Sequence, residues 1–484
     1  MKGALISFLI VLLMASCAVN PVTHEREFLI FSEEEEMRIG EKSHRSVLEE
    51  FGYYRDRELQ RYVLEVGGRI ARVSHRNYLP HHFTVTDSAV INAFALPGGY
   101  IYVNRGLLAY LNNEAQLAGV LGHEAGHIAA RHGVKKYQQV LGAQLILAGV
   151  AMATKSRGIV LGTNLLIGAI LQGYSRRDEY QADRLGTLYM YRAGYDPFQM
   201  ARFLEVLRGL ERREPSLVEQ IFSSHPLTSE RVKRVEAWAE ELTGGRRRGL
   251  VVKANHYLSH LDGLVFGPGE RDGVIEGEVF RNRYFRFQVR VPEGWKMRRG
   301  ERMGSVKAQD PRRRFLLQAI PMEFPAPLRP EEVARRVEKG SGWLRLGAAR
   351  GRSKGLPALM VDYLIRERAI RMRVAYITRG RTAFLLALIA PQKAFPQGRG
   401  FFNLFLHSFR PLSAKEAQRI PLYRLKVYMA RVGDTYPAIS SRFYGTPRYA
   451  EEIQLFNGLG DHPIPPPGRL LKIKPRALLA QKSK

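Results

Sequence analysis

Leu117, Val120, Leu121 and Ala125 recur at helical spacing, which predicts a helix through the middle of the N-terminal half. The elements before it read in the same way. Ser32 followed by Glu33, Glu34 and Glu35 is an N-cap with an acidic first turn, opening a helix to about Phe51. Arg57 to Val73 predicts a second helix. Thr84–Thr86 and Ala93–Ala95 predict short strands, Gly98-Gly99 a turn, and Tyr100–Val103 another strand. After the central helix come two apolar patches, Val140–Ala153 and Ile159–Leu171, separated by Thr154–Gly158. Each is short for a bilayer span, which needs roughly 20 apolar residues. The expectation is a helical hairpin packed over a cleft or dipping into a membrane surface. Further helices follow to Gly194, from Asp196-Pro197 to about Arg213, and from Leu227 to Thr243. The basic, glycine-rich stretch 244–249 marks a domain edge.

Beyond it the pattern changes. Tyr284–Val291 alternates as a half-buried strand does. Phe315–Ile320, Tyr363–Arg368 and Ala383–Ile389 also read as strands, with helices at Pro330–Lys339 and Phe401–Phe409. Residues 255–411 are therefore expected to form a small antiparallel sheet with helices on one face. Residues 421–475 read strand, helix, helix, strand: Lys426–Tyr428, a helix capped near Gly433-Asp434-Thr435, a second ending at Asn457-Gly458, and Leu470–Ile473. A basic tail occupies 476–484. The expected fold class is multidomain α+β. It comprises a mainly helical domain (18–248) with a small edge-strand sheet, a sandwich-like α/β middle domain, and a C-terminal βααβ domain.

Charge changes the picture in one respect. The 484 residues hold 75 Lys and Arg against 46 Asp and Glu, a net charge of +29. Such a chain could meet nucleic acid, anionic lipid or cell-wall polymer. The long basic helices of a DNA reader and the paired ligands of a zinc finger are missing, so no nucleic-acid partner is expected. His256 and His260 stand four apart without further ligands and read as surface residues. The single cysteine, Cys17, precludes an internal disulfide. It follows Met1-Lys2, the apolar run Leu5–Met14, and Ala15-Ser16, an order of charge, apolar core and small residues that marks a secretory signal. The stretch 1–17 resembles a bacterial lipoprotein signal ending at a lipidated Cys17. Ala18, where Asp would favour the inner membrane, points to the periplasmic face of the outer membrane.

The central helix carries Gly122-His123-Glu124-Ala125-Gly126-His127. Residues four apart share a helix face, so His123 and His127 can aim two imidazoles at one zinc ion. Glu124 sits beside the position of an attacking water and can take its proton. A third ligand is needed, and Glu179 offers a carboxylate on a later helix. Asp183, one turn on, can hold the distal nitrogen of a ligand histidine.

With these stretches in hand, residues from about 33 to 240 resemble the M48 peptidases, zinc endopeptidases of the gluzincin type. The family pattern pairs the histidine motif with a distant E-x-x-x-D, here Glu179–Asp183. Asn92–Gly99 resembles its edge-strand motif, Asn104–Leu108 its lead into the metal helix, and Ser223–Arg231 its late histidine motif. The resemblance implies His123, His127 and Glu179 as ligands of one Zn(2+) and Glu124 as general base. It implies that His225 approaches the metal, stabilises the oxyanion or gates the site, and that Asn92, Ala93, Phe94 and Ala95 receive substrate as an added strand. Similar proteins act in periplasmic quality control and outer-membrane assembly, often with tetratricopeptide repeats that are not seen in this chain. Residues 421–475 resemble a LysM domain, which implies peptidoglycan binding near Thr435 and Asn457. The expected function is endopeptidase cleavage of misfolded or unassembled cell-envelope proteins. The alternatives are an envelope assembly or chaperone-like protein with latent protease activity, and a cell-wall amidase.

Overall fold

The computed structural model describes residues 17–153, 165–300 and 302–481. The leader 1–16, the interruption Thr154–Gly158 and the start of the second apolar patch lie outside them. Two units form: one from the chain up to Gly267 together with Tyr423 onward, the other from Pro268–Leu422.

The first unit opens with an antiparallel hairpin, β1 (Cys17–Val19) and β2 (Arg26–Phe28), in which Cys17 faces Phe28 across the register and Val19 faces Arg26. Helix α1 (Glu33–Phe51) has the expected N-cap, and it closes as a capping box: Ser32 Oγ accepts from the Glu35 amide and Glu35 accepts from the Ser32 amide. Helix α2 (Arg57–Arg72) follows, capped by Asp56. Strands β3 (His82–Thr86), β4 (Ala93–Leu96) and β5 (Tyr100–Asn104) pair in the order β3-β5-β4, so β4 is an edge. Gly99 turns the chain between β4 and β5 with φ 91°; a Cβ there would meet the Pro80 carbonyl at 2.1 Å.

A short helix α3 (Arg105–Leu108) leads to α4 (Glu114–Ala129), capped by Asn113 and buried along its whole length. Then come α5 (His132–Ala153), α6 (Leu165–Leu171), α7 (Arg176–Arg192), α8 (Phe198–Arg213), α9 (Pro215–Ser224), α10 (Ser229–Thr243) and α11 (Ala254–Ser259). Among the described residues no helix is long and apolar enough to cross a membrane. Helix α6 instead buries Leu166, Ile167 and Ile170 against Phe94 and Leu96 of β4 and Val47 of α1.

The second unit starts at Pro268 rather than near Asn255. Tyr257 and Leu258 of α11, with Leu261 and Leu264 in the turn after it, are buried in the first unit's core. Its strands are β6 (Val274–Glu276), β7 (Val279–Asn282), β8 (Phe287–Arg290), β9 (Lys296–Arg299), β10 (Val306–Gln309), β11 (Leu316–Glu323), β12 (Leu344–Ser353), β13 (Leu356–Ile365), β14 (Ile370–Arg379), β15 (Thr382–Pro391) and β16 (Arg410–Pro411). Its helices are α12 (Pro330–Glu338), α13 (Phe395–Ser408) and α14 (Ala414–Gln418). This corrects the expected small sheet with helices on one face. Seven antiparallel strands run β12-β13-β14-β15-β11-β10-β9, and a second sheet runs β16-β8-β7-β6. Strand β15 is apolar on both faces. Phe384, Leu386 and Leu388 pack toward Phe287 of the second sheet and Phe402 and Phe405 of α13, while Leu385 and Ala387 pack toward Val333 and Ala334 of α12.

The chain then returns to the first unit. The Phe266 amide donates to the Tyr423 carbonyl at 2.8 Å, and Val265 bridges Arg424. Strand β17 (Lys426–Met429), helices α15 (Tyr436–Tyr444) and α16 (Ala450–Phe456), strand β18 (Leu470–Ile473) and helix α17 (Arg476–Gln481) follow, with β17 antiparallel to β18. These elements have a small core of Ile439, Tyr444, Ile453 and Leu471. They are also joined to the turn that precedes α4. Phe456 enters the first unit's main core, and the buried Lys472 Nζ donates to the Ala109 carbonyl at 2.9 Å and the Leu111 carbonyl at 2.8 Å.

Candidate metal centre

Two glycines let the site form. Gly122 and Gly126 of α4 cross Gly186 and Ala182 of α7, and a Cβ at either glycine would lie about 3 Å from the opposing backbone. This approach brings Glu179 and Asp183 to the two histidines. His123 Nε2 and His127 Nε2 stand 3.0 Å apart, and Glu179 Oε2 and Oε1 lie 3.6 Å and 3.4 Å from them respectively. His225, which follows α9, adds a fourth donor. Its Nδ1 is 3.2 Å from His123 Nε2 and 3.1 Å from Glu179 Oε1. All four side chains are buried.

These separations test whether a metal fits. Zinc with arms of about 2.0–2.2 Å to nitrogen and oxygen has tetrahedral edges of about 3.3–3.6 Å. The donor-to-donor distances of 3.4 and 3.6 Å fall on those edges, and those of 3.0–3.2 Å are slightly shorter. Three imidazoles and one carboxylate are a zinc-type donor set.

The surroundings orient the donors. His123 Nδ1 lies 3.0 Å from Asp183 Oδ1. A carboxylate there favours the tautomer that leaves Nε2 free to bind a metal. His127 Nδ1 lies 2.9 Å from His132 Nδ1, whose Nε2 is 3.1 Å from Gln181 Oε1. Tyr174 stacks on His127 at 4.1 Å between ring centroids. Arg231, at the start of α10, donates from Nε and Nη2 to both oxygens of Asp183 at 2.7 Å, and its Nη1 is 2.8 Å from Glu179 Oε2. Its fork joins Glu179 and Asp183 of α7.

Electrostatics follow from burial and this network. Burial pushes the Glu124 carboxyl above the ordinary range, against the pull of His225 and His123. Burial would also raise Glu179, but His225 and Arg231 hold it well below that range. Arg231 likewise overcomes burial at Asp183 and keeps it low. Burial holds His127 well below its usual value. His225 is pushed up to about 9, because the Glu179 and Glu124 carboxylates outweigh its burial. A pocket that stabilises an imidazolium is also suited to a dication.

Glu124 is one residue from the histidine face, with Oε1 3.6 Å from His225 Nε2 and Oε2 buried without a hydrogen-bond partner. The His225 Nε2–H reaches the Ala93 carbonyl at 3.3 Å, and Ser224 Oγ donates to Asn92 Oδ1 at 3.1 Å. His225 therefore stands between the donor cluster and edge strand β4. Of the expected site residues, His123, Glu124, His127, Glu179, Asp183 and His225 meet here, with Asn92 and Ala93 at the rim. Phe94 and Ala95 are buried in β4, with Phe94 stacked on Tyr102 at 5.0 Å. Cys17 begins β1. Sequence reasoning gave no role to Arg231, His132 or Tyr174. Only Arg231 had a signal, its place within the late histidine motif. An apolar cavity of about 480 Å³, counted to its open mouth, adjoins Glu124 and His225 and is walled by Met200, Phe203 and Leu207 of α8 and Ile221 of α9.

Residues 55–239 match peptidase family M48. The beta-barrel assembly-enhancing protease of Escherichia coli (strain K12) is 33% identical over 210 residues, covering 41% of this chain and 42% of that protein. The mitochondrial metalloendopeptidase OMA1 of Schizosaccharomyces pombe is 30% identical over 229 residues, covering 46% and 66%. The mitochondrial metalloendopeptidase OMA1 of Bos taurus is 29% identical over 245 residues, covering 45% of each chain. The alignment thus spans about two fifths of the bacterial relative's length. Among solved structures, cyanobacterial PsbP of Synechocystis sp. PCC 6803 aligns over 30% of this chain and 98% of its own at 16% identity, with a TM-score of 0.24, too low to bear on the fold.

Proposed function

Residues 55–239 belong to peptidase family M48, and on that premise we propose that the chain is a zinc-dependent endopeptidase acting on misfolded or unassembled cell-envelope proteins. The observation that carries this is the set of four buried donors, all within 4.8 Å of one another, beside the unpartnered Glu124 Oε2. His123, His127 and Glu179 hold the ion. When bound, zinc polarises the scissile carbonyl and makes a nearby water more acidic. Glu124 takes the proton of the attacking water and passes it to the leaving nitrogen; its raised proton affinity suits it to hold that proton between the two transfers. Asp183 fixes the His123 ring, and Arg231 holds Asp183 and Glu179 together. Substrate pairs with β4 at Asn92–Ala95 once His225 leaves the Ala93 carbonyl, and the displaced imidazole is then placed to donate to the developing oxyanion.

The envelope setting rests on Cys17 as a lipidated first residue on the periplasmic face of the outer membrane, and on the bacterial relative's name. Residues 421–475 are proposed as a LysM-like peptidoglycan reader. Asn457 is not free to meet glycan, being 2% exposed and bonded to the backbone of Ile453 and Lys472. The exposed groove between Tyr428–Val432 and Pro467–Gly468 is the better contact.

One observation favours the second reading, an assembly factor with latent protease activity. His225 fills the fourth corner of the donor set, the position that water needs. The deciding experiment measures zinc content and casein cleavage by the chain beginning at Ala18, beside Glu124→Gln and His225→Ala. Cleavage lost in Glu124→Gln with zinc retained supports the peptidase. Higher cleavage in His225→Ala supports a gate. Zinc without cleavage in both the parent and His225→Ala overturns the peptidase in favour of a binding role. Release of peptides from purified peptidoglycan would instead mark an amidase.

A further inference from the structure

Helix α4 ends at Ala129 and α5 begins at His132. Between them Arg131 has φ 55°, a left-handed conformation that is uncommon for a residue with a side chain. Such strain persists where the surroundings hold it. Here Arg131 is buried, its Nε donates to Glu36 Oε2 at 3.1 Å, and its Nη2 donates to the Phe31 carbonyl at 3.0 Å. The break redirects one side chain. In an unbroken helix, residues five apart point about 140° away from each other. The turn at Arg131 instead brings His132 back beside His127, with the two Nδ1 atoms 2.9 Å apart. Both rings are buried.

The two rings fix each other's protons. His127 Nε2 faces the donor cluster, 3.0 Å from His123 Nε2 and 3.4 Å from Glu179 Oε1. A histidine that gives Nε2 to a metal keeps its proton on Nδ1. His132 Nδ1 must then accept that hydrogen bond, and a neutral imidazole that accepts at Nδ1 carries its own proton on Nε2. That Nε2–H has a place to go: it donates to Gln181 Oε1 at 3.1 Å, with Asp178 Oδ1 at 3.4 Å. The bonds thus run from a ligand of α4 to α7, the helix that supplies Glu179. Tyr174 covers the face of the His127 ring at 4.1 Å between centroids, so the ring edge is left for the polar partner.

We propose that His132 is a positioning residue for His127: a neutral imidazole, relayed to Gln181, that holds His127 in the tautomer and orientation that metal binding needs. The proposal rests on the zinc centre described above. Asp183 performs the same task for His123 as a carboxylate. His132 performs it without adding charge to a pocket that already buries Glu124, Glu179 and Asp183, where a further carboxylate would be costly to desolvate.

The test measures the zinc affinity of the full chain against a chelator. His132→Leu fills the space but cannot accept a hydrogen bond, and it should weaken zinc binding about 10–100-fold. His132→Asn is smaller but places Oδ1 close to where Nδ1 stood, and it should hold affinity within about threefold of the parent. A residue that merely fills space would give the opposite order. Parent-like affinity in His132→Leu, or an equal loss in His132→Asn, overturns the relay. Where His132→Leu does not fold, the 15N spectrum of the histidine-labelled, zinc-loaded parent decides. A proton on His132 Nε2 alone supports the relay, and a proton on its Nδ1 overturns it. A parent that binds zinc without cleaving casein rejects the peptidase alone, and the relay is then judged on the affinities. A parent that binds no zinc overturns both.

Discussion

Arg231 binds two carboxylates in a place that water does not reach. Replacing it by Met leaves Glu179 and Asp183 buried side by side without their cation, and breaking a buried pair in this way costs about 3–5 kcal/mol. Urea unfolding of Arg231→Met should show that loss at an unchanged slope. Asp183→Asn should act more narrowly. The amide keeps the shape of the side chain but no longer draws the Nδ1 proton of His123, so zinc affinity measured against a chelator should fall about 10–100-fold. The histidine pair and its glutamate were legible in the sequence because a spacing of four on one helix dictates where both rings point. Arg231 was not, since its role depends on α10 meeting α7 across 48 residues of chain.

Asp362 of β13 and Arg373 of β14 face each other across the register and share two hydrogen bonds of 2.7 Å. Burial opposes ionisation, but the Arg373 bonds prevail and hold the Asp362 carboxyl below its ordinary value. The pair therefore stabilises the fold above the unfolded value of about 3.9, and that contribution disappears as pH falls through the lower folded value. Asp362→Asn should cost about 1 kcal/mol at neutral pH. The gap from the parent should close in acid, as thermal unfolding across pH 2–7 would record. Strands β11 and β15 of this sheet were legible from their apolar runs, whereas β14 was not read as a strand and Tyr363–Arg368 covers only the end of β13 and the turn after it. The sheet's edges were not legible: β9 reads Lys296-Met297-Arg298-Arg299 and β12 is exposed along nearly its full length, so neither shows an apolar alternation. A charged edge discourages pairing with another chain, which is why the signal for a strand is weakest there.

The middle unit holds 32 Lys and Arg against 14 Asp and Glu, so most of the chain's net positive charge resides in an insertion. Its two junctions adjoin within the first unit at Phe266 and Tyr423. Replacing 268–422 by a short Gly-Ser turn should therefore leave the first unit folded, with zinc retained and a melting temperature within about 5 °C of the parent; calorimetry and metal analysis would check this. Lys472→Met should do more harm than removing the whole insertion. Two buried carbonyls before α4 would lose their donor, at a cost of about 2–4 kcal/mol. The order of the C-terminal elements could be read from their pattern, but their attachment could not, because a lysine in a strand gives no hint that its ammonium ends beneath a turn 363 residues earlier. That separation has a consequence in time. At about 5–20 residues per second, the ribosome needs roughly 20–70 s between making Ala109 and making Lys472. Throughout that interval the turn before the metal helix lacks its clamp, so the nascent chain cannot complete the first unit's core. A chain cut short before Lys472 would leave the two carbonyls before α4 without that donor.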